Sequence, residues 1–111
     1  MNEAGELEDL RKQVRELSHE LKNMDFALHG SIWKHYMQCG NVKCKCHASP
    51  PKLHGPYYDW SRKVKGKTVN IRLNEEQAKM IEKWIKNMKR LESVLSEIED
   101  TSIRAAELIR K

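Results

Sequence analysis

No run of apolar residues in this 111-residue chain is long enough to span a bilayer. Aromatic residues are scarce at 6% while charged residues reach 33%, a composition that argues against a large globular core. The opening Met1-Asn2-Glu3-Ala4 has neither a basic n-region nor an apolar h-region, so an intracellular, cytoplasmic protein is expected. There is no glycine-rich phosphate loop, no persuasive Ser/His/Asp or Cys/His arrangement, and no Cys-x2-Cys exchange pair. Acids are almost absent from the centre: Asp59 is the single one between residues 29 and 73. A nuclease would need several carboxylates converging on a divalent metal. An enzyme is therefore not expected.

Cysteines are also few, but the three present are concentrated in Cys39-x4-Cys44-x-Cys46, with His54 following after seven intervening residues. An odd number cannot pair completely as disulfides within one chain, and clustered thiols in a reducing compartment are more often metal ligands than bridges. Three thiolates and one imidazole form the donor set of a closed tetrahedral zinc site. The alternative is that the cysteines are small buried core residues. The fourth ligand could be His35, His47 or His54. His47 directly follows Cys46, and adjacent residues rarely turn toward one ion. His54 is favoured because it follows Pro50-Pro51 and precedes Gly55-Pro56, as suits a chain returning to close a site. Zn2+ is the expected cofactor. A head of about forty residues would fold poorly unaided, which gives a metal a structural task.

Charge is distributed unevenly. Residues 1–28 carry a net charge of −3 and residues 74–111 balance, whereas residues 29–73 hold nine cations against Asp59 and reach +8. A basic block of this kind suggests a polyanionic partner, with nucleic acid ahead of an anionic membrane surface. The plain alternative is a solvated lysine-rich surface.

Periodicity divides the chain into three. Leu7, Leu10, Val14, Leu17, Leu21, Met24 and Leu28 recur at steps of three and four, an a/d seam predicting an N-terminal coiled-coil helix over 1–29 with Gly30 as its stop. Residues 30–73 read as a zinc knuckle and β-hairpin head. A short strand begins at Ser31, Cys39-Gly40 turns the chain, and Pro56–Val64 pairs with Lys67–Leu73 through Lys65-Gly66. That turn would place Tyr58 opposite Leu73, Trp60 opposite Ile71 and Arg62 opposite Val69. The other face would pair Asp59 with Arg72, Ser61 with Asn70 and Lys63 with Thr68. Residues 74–111 read as a long coiled-coil helix, capped by Asn74 and Gln77. Its seam runs through Ile81, Trp84, Met88, Leu91, Leu95, Ile98, Ser102, Ala105 and Ile109.

The run Gly30-Ser31-Ile32, Cys39-Gly40, Cys44-Lys45-Cys46, His54-Gly55-Pro56-Tyr57 and Gly66-Lys67-Thr68, followed by a charged helix containing Trp84, carries a resemblance. It resembles a family of small, largely uncharacterised bacterial and archaeal proteins often met among mobile-element genes. Their pattern is Cys-Gly-x3-Cys-x-Cys, His-Gly-Pro-Tyr and Gly-Lys-Thr, and the resemblance covers about residues 30–110. It implies that Cys39, Cys44, Cys46 and His54 form one set. It implies no activity.

The expected fold is α+β, with a small zinc-stabilised β-hairpin head between two long helices that form a coiled-coil stalk. The expected function is nucleic-acid binding, double-stranded DNA first, because a two-stranded ribbon fits the major groove. Lys43, Lys45, Ser61, Lys63, Lys65, Lys67, Asn70 and Arg72 are the candidate contacts. A homodimer through the helices is expected, an internal helical hairpin being the alternative. The competing function is a coiled-coil assembly or adaptor protein whose zinc head is purely structural.

Overall fold

The computed structural model describes residues 3–110. The chain is a mixed α+β protein whose helices and strands are α1 (Glu3–His19), β1 (Ser31–Met37), β2 (His54–Val64), β3 (Lys67–Leu73) and α2 (Glu75–Ile109). A 3-10 turn, Lys45–His47, lies between β1 and β2. Two compact units result. One is a head, Leu28–Ile85; the other is helical and takes the residues before 28 and after 85. The head therefore extends past Leu73 and includes the first turns of α2.

The hairpin forms in the expected register. Tyr58 pairs with Leu73, Asp59 with Arg72, Trp60 with Ile71, Ser61 with Asn70, Arg62 with Val69 and Lys63 with Thr68. Its tip is a two-residue turn with positive φ at both Lys65 (50°) and Gly66 (81°), as a type I′ turn demands. β2 starts two residues earlier than expected, at His54. β1 does more than lead into the knuckle. It pairs antiparallel with β2 from Ser31↔Ser61 to His35↔Tyr57, and an irregularity then matches Met37 with His54. The sheet is three-stranded in the order β1-β2-β3.

Gly30 is needed for a reason other than helix termination. Its φ is +133°, and a Cβ there would run into the Trp60 indole nitrogen and stand 2.6 Å from the Ser61 carbonyl oxygen. The close approach lets Trp60 Nε1 donate to the His29 carbonyl (3.1 Å). The helix predicted to reach residue 29 stops at His19. Glu20, Leu21 and Lys22 bond back three residues rather than four, a tightening common at helix ends. Asn23 and Asp25 follow, residue types whose side chains favour turns over helix. The next backbone groups bond to α2 instead: Asn87 donates to the Phe26 carbonyl (2.8 Å), and Leu28 N–H to that of Trp84 (3.2 Å). Leu21, Met24 and Leu28 thus continue a heptad spacing without being helical.

α2 opens with the predicted capping box. Gln77 N–H donates to Asn74 Oδ1 (2.8 Å) and Asn74 N–H to Gln77 Oε1 (3.0 Å). Its buried stripe is rotated from the predicted seam. Val94 is fully buried while Leu95 is 53% exposed, and Thr101 is buried while Ser102 is exposed. In the helical unit α1 pairs with α2 inside the same chain. Arg104 reaches Gln13 (3.3 Å) and Arg90 reaches Glu20 (Nε, 3.0 Å), so numbering falls along α2 as it rises along α1. The two therefore run antiparallel, with Leu10, Val94 and Thr101 buried there.

Gly30→Ala should destabilise the head by about 2 kcal/mol or more, since it adds both backbone strain and overlap with Trp60. Urea unfolding read by tryptophan fluorescence measures this, and a change below about 0.5 kcal/mol would show that the Gly30–Trp60 contact is slack.

Candidate metal centre

The loop between β1 and β2 folds the cysteines onto one point. Cys44 N–H bonds to the Asn41 carbonyl (3.0 Å) and His47 N–H to that of Cys44 (3.0 Å), forming the short 3-10 turn. Lys52 N–H then reaches the Lys45 carbonyl (3.1 Å), drawing the proline-containing segment back over the turn. Cys46 is fully buried, one of three apolar residues buried in the described head, with Ala78 and Ile85.

Cys39, Cys44, Cys46 and His54 each offer one donor atom, and all four atoms lie within 4.8 Å of one another. Cys39 Sγ stands 3.6 Å from Cys46 Sγ, and Cys44 Sγ 3.3 Å from His54 Nε2. None of the three thiols is in a disulfide. Hydrogen bonds from Cys46, its backbone N–H first, together with His54 and Cys39, pull the Cys44 thiol down to about 6. Burial pushes the Cys46 thiol up. The donor set is suited to a cation shared by all four groups, and the residues fit a metal ion. Around it, Cys39 N–H donates to Cys46 Sγ (3.3 Å) and Gln38 Nε2 to the Cys46 carbonyl (3.2 Å). His47 and His35 stand outside the cluster. His47 Nε2 donates to the Cys39 carbonyl (2.7 Å), and His35 Nε2 to Asp59 Oδ2 (2.6 Å).

The candidate nucleic-acid contacts are not gathered on one surface. Ser61, Lys63, Asn70 and Arg72 share one face of the sheet, but Lys67 pairs with Val64 and therefore belongs to the other. Lys65 sits at the hairpin tip, and Lys43 and Lys45 are exposed on the knuckle. Several of these groups are already bonded: Ser61 to Asn70, Lys63 to Thr68 (2.8 Å) and Arg72 Nε to Asp59 Oδ1 (2.7 Å).

The strand pairing adds residues that sequence reasoning missed. Trp33 is opposite Asp59 and His35 is opposite Tyr57, so Trp33, His35 and Tyr57 join the polar face. The His35 ring stacks on Trp33 (centroids 3.9 Å, interplanar 12°), and the Arg72 guanidinium lies 4.5 Å over Tyr57. The adjacent Arg72 guanidinium, helped by His35, holds the Asp59 carboxyl below its usual range. The alternation in Trp33-x-His35 was the one available sign, and it carries meaning only once β1 is known to pair with β2.

The fold and this site define a small α+β domain bearing a Cys3His cluster beside an antiparallel sheet. The chain belongs to the family described as a domain of unknown function, DUF6788, whose model matches residues 7–83. The match takes in most of α1, which the resemblance drawn from the cysteine pattern left outside, and it ends within α2. No curated protein and no solved structure matches the chain.

Two outcomes are expected. Removing bound metal with a chelator should abolish the sheet signal before the helical one, and Cys46→Ala should reproduce this without chelator. Circular dichroism with metal analysis measures both, and a head that keeps its fold metal-free would contradict them. Second, Asp59 is depressed, so it stabilises the fold above the ordinary carboxyl pKa. That stability is lost as pH falls through its lowered folded value. Asp59→Asn should therefore weaken the protein at neutral pH and flatten the acid limb of its stability profile, read by denaturation at several pH values.

Proposed function

We propose that the head is a zinc-stabilised nucleic-acid-binding module and that the helices assemble it into a homodimer. Double-stranded DNA is the form suited to its β-ribbon. The observation that carries the reading is electrostatic. Residues 29–73 have a net charge of +8, and their only acid, Asp59, is already bonded to Arg72 and His35. Nothing acidic in that segment is left to repel a phosphate backbone. The resemblance to proteins met among mobile-element genes adds weight to DNA.

Zinc is favoured by the donor set and its spacing. A tetrahedron with 2.3 Å zinc–sulfur bonds has sulfur–sulfur edges of about 3.8 Å, close to the 3.6 Å between Cys39 and Cys46. Four protein ligands leave no open position, so the metal's task is structural. Assembly through a coiled coil is supported by apolar residues that remain exposed on α2, among them Leu95, Ile103 and Ile109.

The second reading, an assembly protein with a purely structural head, draws on the internal bonds of Ser61, Asn70, Lys63 and Arg72. Titration of a labelled duplex by fluorescence anisotropy at low and moderate salt separates the two. The binding module should show affinity falling steeply with salt. Replacing Lys63, Lys65 and Lys67 together with alanine should weaken binding at least about tenfold and reduce the salt slope. A folded triple variant that binds as well as the parent would remove the hairpin from the interface.

A further inference from the structure

The polar face of the sheet carries a rigid aromatic surface that duplex binding does not require. His35, Asp59, Arg72 and Tyr57 form a closed circuit, and Trp33 stacks on it. Trp33 stacks on His35, whose Nε2 donates to Asp59 (2.6 Å), and Asp59 accepts from Arg72 (2.7 Å). Arg72 covers Tyr57, and Tyr57 tilts against His35 with ring centroids 5.9 Å apart. His35 and Asp59 are largely buried, with side chains 11% and 14% exposed, so the base of the circuit is fixed. Trp33 is different. One indole face lies on the His35 ring, yet the residue is 61% exposed, so its other face is open to solvent.

An open indole held in place by its neighbours is a stacking surface with little ordering left to lose on binding. Its surroundings indicate what it stacks. Ser31, Ser61 and Asn70 form the neighbouring row on the same face, offering hydroxyl and amide groups. A shallow depression lined by Ser31, Ser61, Lys63 and Thr68 follows. Lys63 lies four residues along β2 from Asp59, or about 13 Å, a span of a few nucleotides. A sugar or a proline-rich peptide would leave the basic charge of this segment unused. A nucleobase with its phosphates would use both the indole and the lysines.

We infer that Trp33, positioned by His35 and Asp59, stacks an unpaired nucleobase, so that the nucleic acid bound by this face includes a single-stranded segment. This rests on the nucleic-acid reading and specifies the form of the partner.

The test compares an oligothymidylate with an abasic strand of equal length and charge, titrated against the full metal-loaded chain. Anisotropy and tryptophan quenching are the readouts. The oligothymidylate should bind more tightly than the abasic strand. Trp33→Ala should weaken oligothymidylate binding by about 5- to 150-fold, toward the abasic level. Abasic binding should be unchanged, and Trp33→Tyr should recover most of the loss. Equal binding of the two strands by the parent protein overturns the inference even if Trp33→Ala fails to fold, and leaves electrostatic binding standing. A folded Trp33→Ala that binds oligothymidylate as before overturns it likewise. Failure to bind duplex or either strand at low salt overturns the nucleic-acid reading as well.

Discussion

Three thiols and an imidazole brought within 4.8 Å of one another are the constraint around which the head is built. Cys39 follows the end of β1, His54 begins β2, and Cys44 and Cys46 flank the first residue of the 3-10 turn between them. Joining these points closes the loop and helps set two neighbouring strands in register. The described head buries three apolar residues, Cys46, Ala78 and Ile85, a small return against the entropy of ordering a segment of this size. The proposed metal would supply cohesion where the apolar core is thin.

The second organising element is Asp59. As the only carboxylate among residues 29–73, it ties β1 to β3 across β2 by holding His35 on one side and Arg72 on the other. The same two bonds orient Trp33 through His35 and neutralise the segment's one negative charge. A single side chain thereby serves both sheet cohesion and the positive character of the surface. Stability and the proposed binding would be coupled at this position, although the proposed metal centre draws on other residues.

Legibility followed the range of the interactions. The β2–β3 register could be read residue by residue, because Lys65-Gly66 dictates a two-residue turn and every pair then follows. The capping box of α2 is equally local, spanning Asn74 to Gln77. The Cys3His cluster was visible because cysteine and histidine are rare, chemically distinct and close together in the chain. The end of α1 was not visible. Leu21, Met24 and Leu28 keep the heptad spacing, but Asn87 and the Trp84 carbonyl take the backbone groups of Phe26 and Leu28. Nor was the rotation of the α2 stripe from Leu95 to Val94, since adjacent apolar residues leave the choice of face to the partner helix.

The amino-acid sequence alone determined the charge asymmetry, the candidate ligand types, the hairpin and the start of α2. Each depends on side-chain chemistry or on backbone preferences within a few residues. Tertiary structure decided that β1 joins the sheet, that α1 lies antiparallel to α2 within one chain, and that Gly30 makes room for Trp60. It also decided that Trp33 and His35 share a face with Asp59 and Arg72. These outcomes depend on which distant segments meet, and that is set by burial and hydrogen bonding summed over the folded chain.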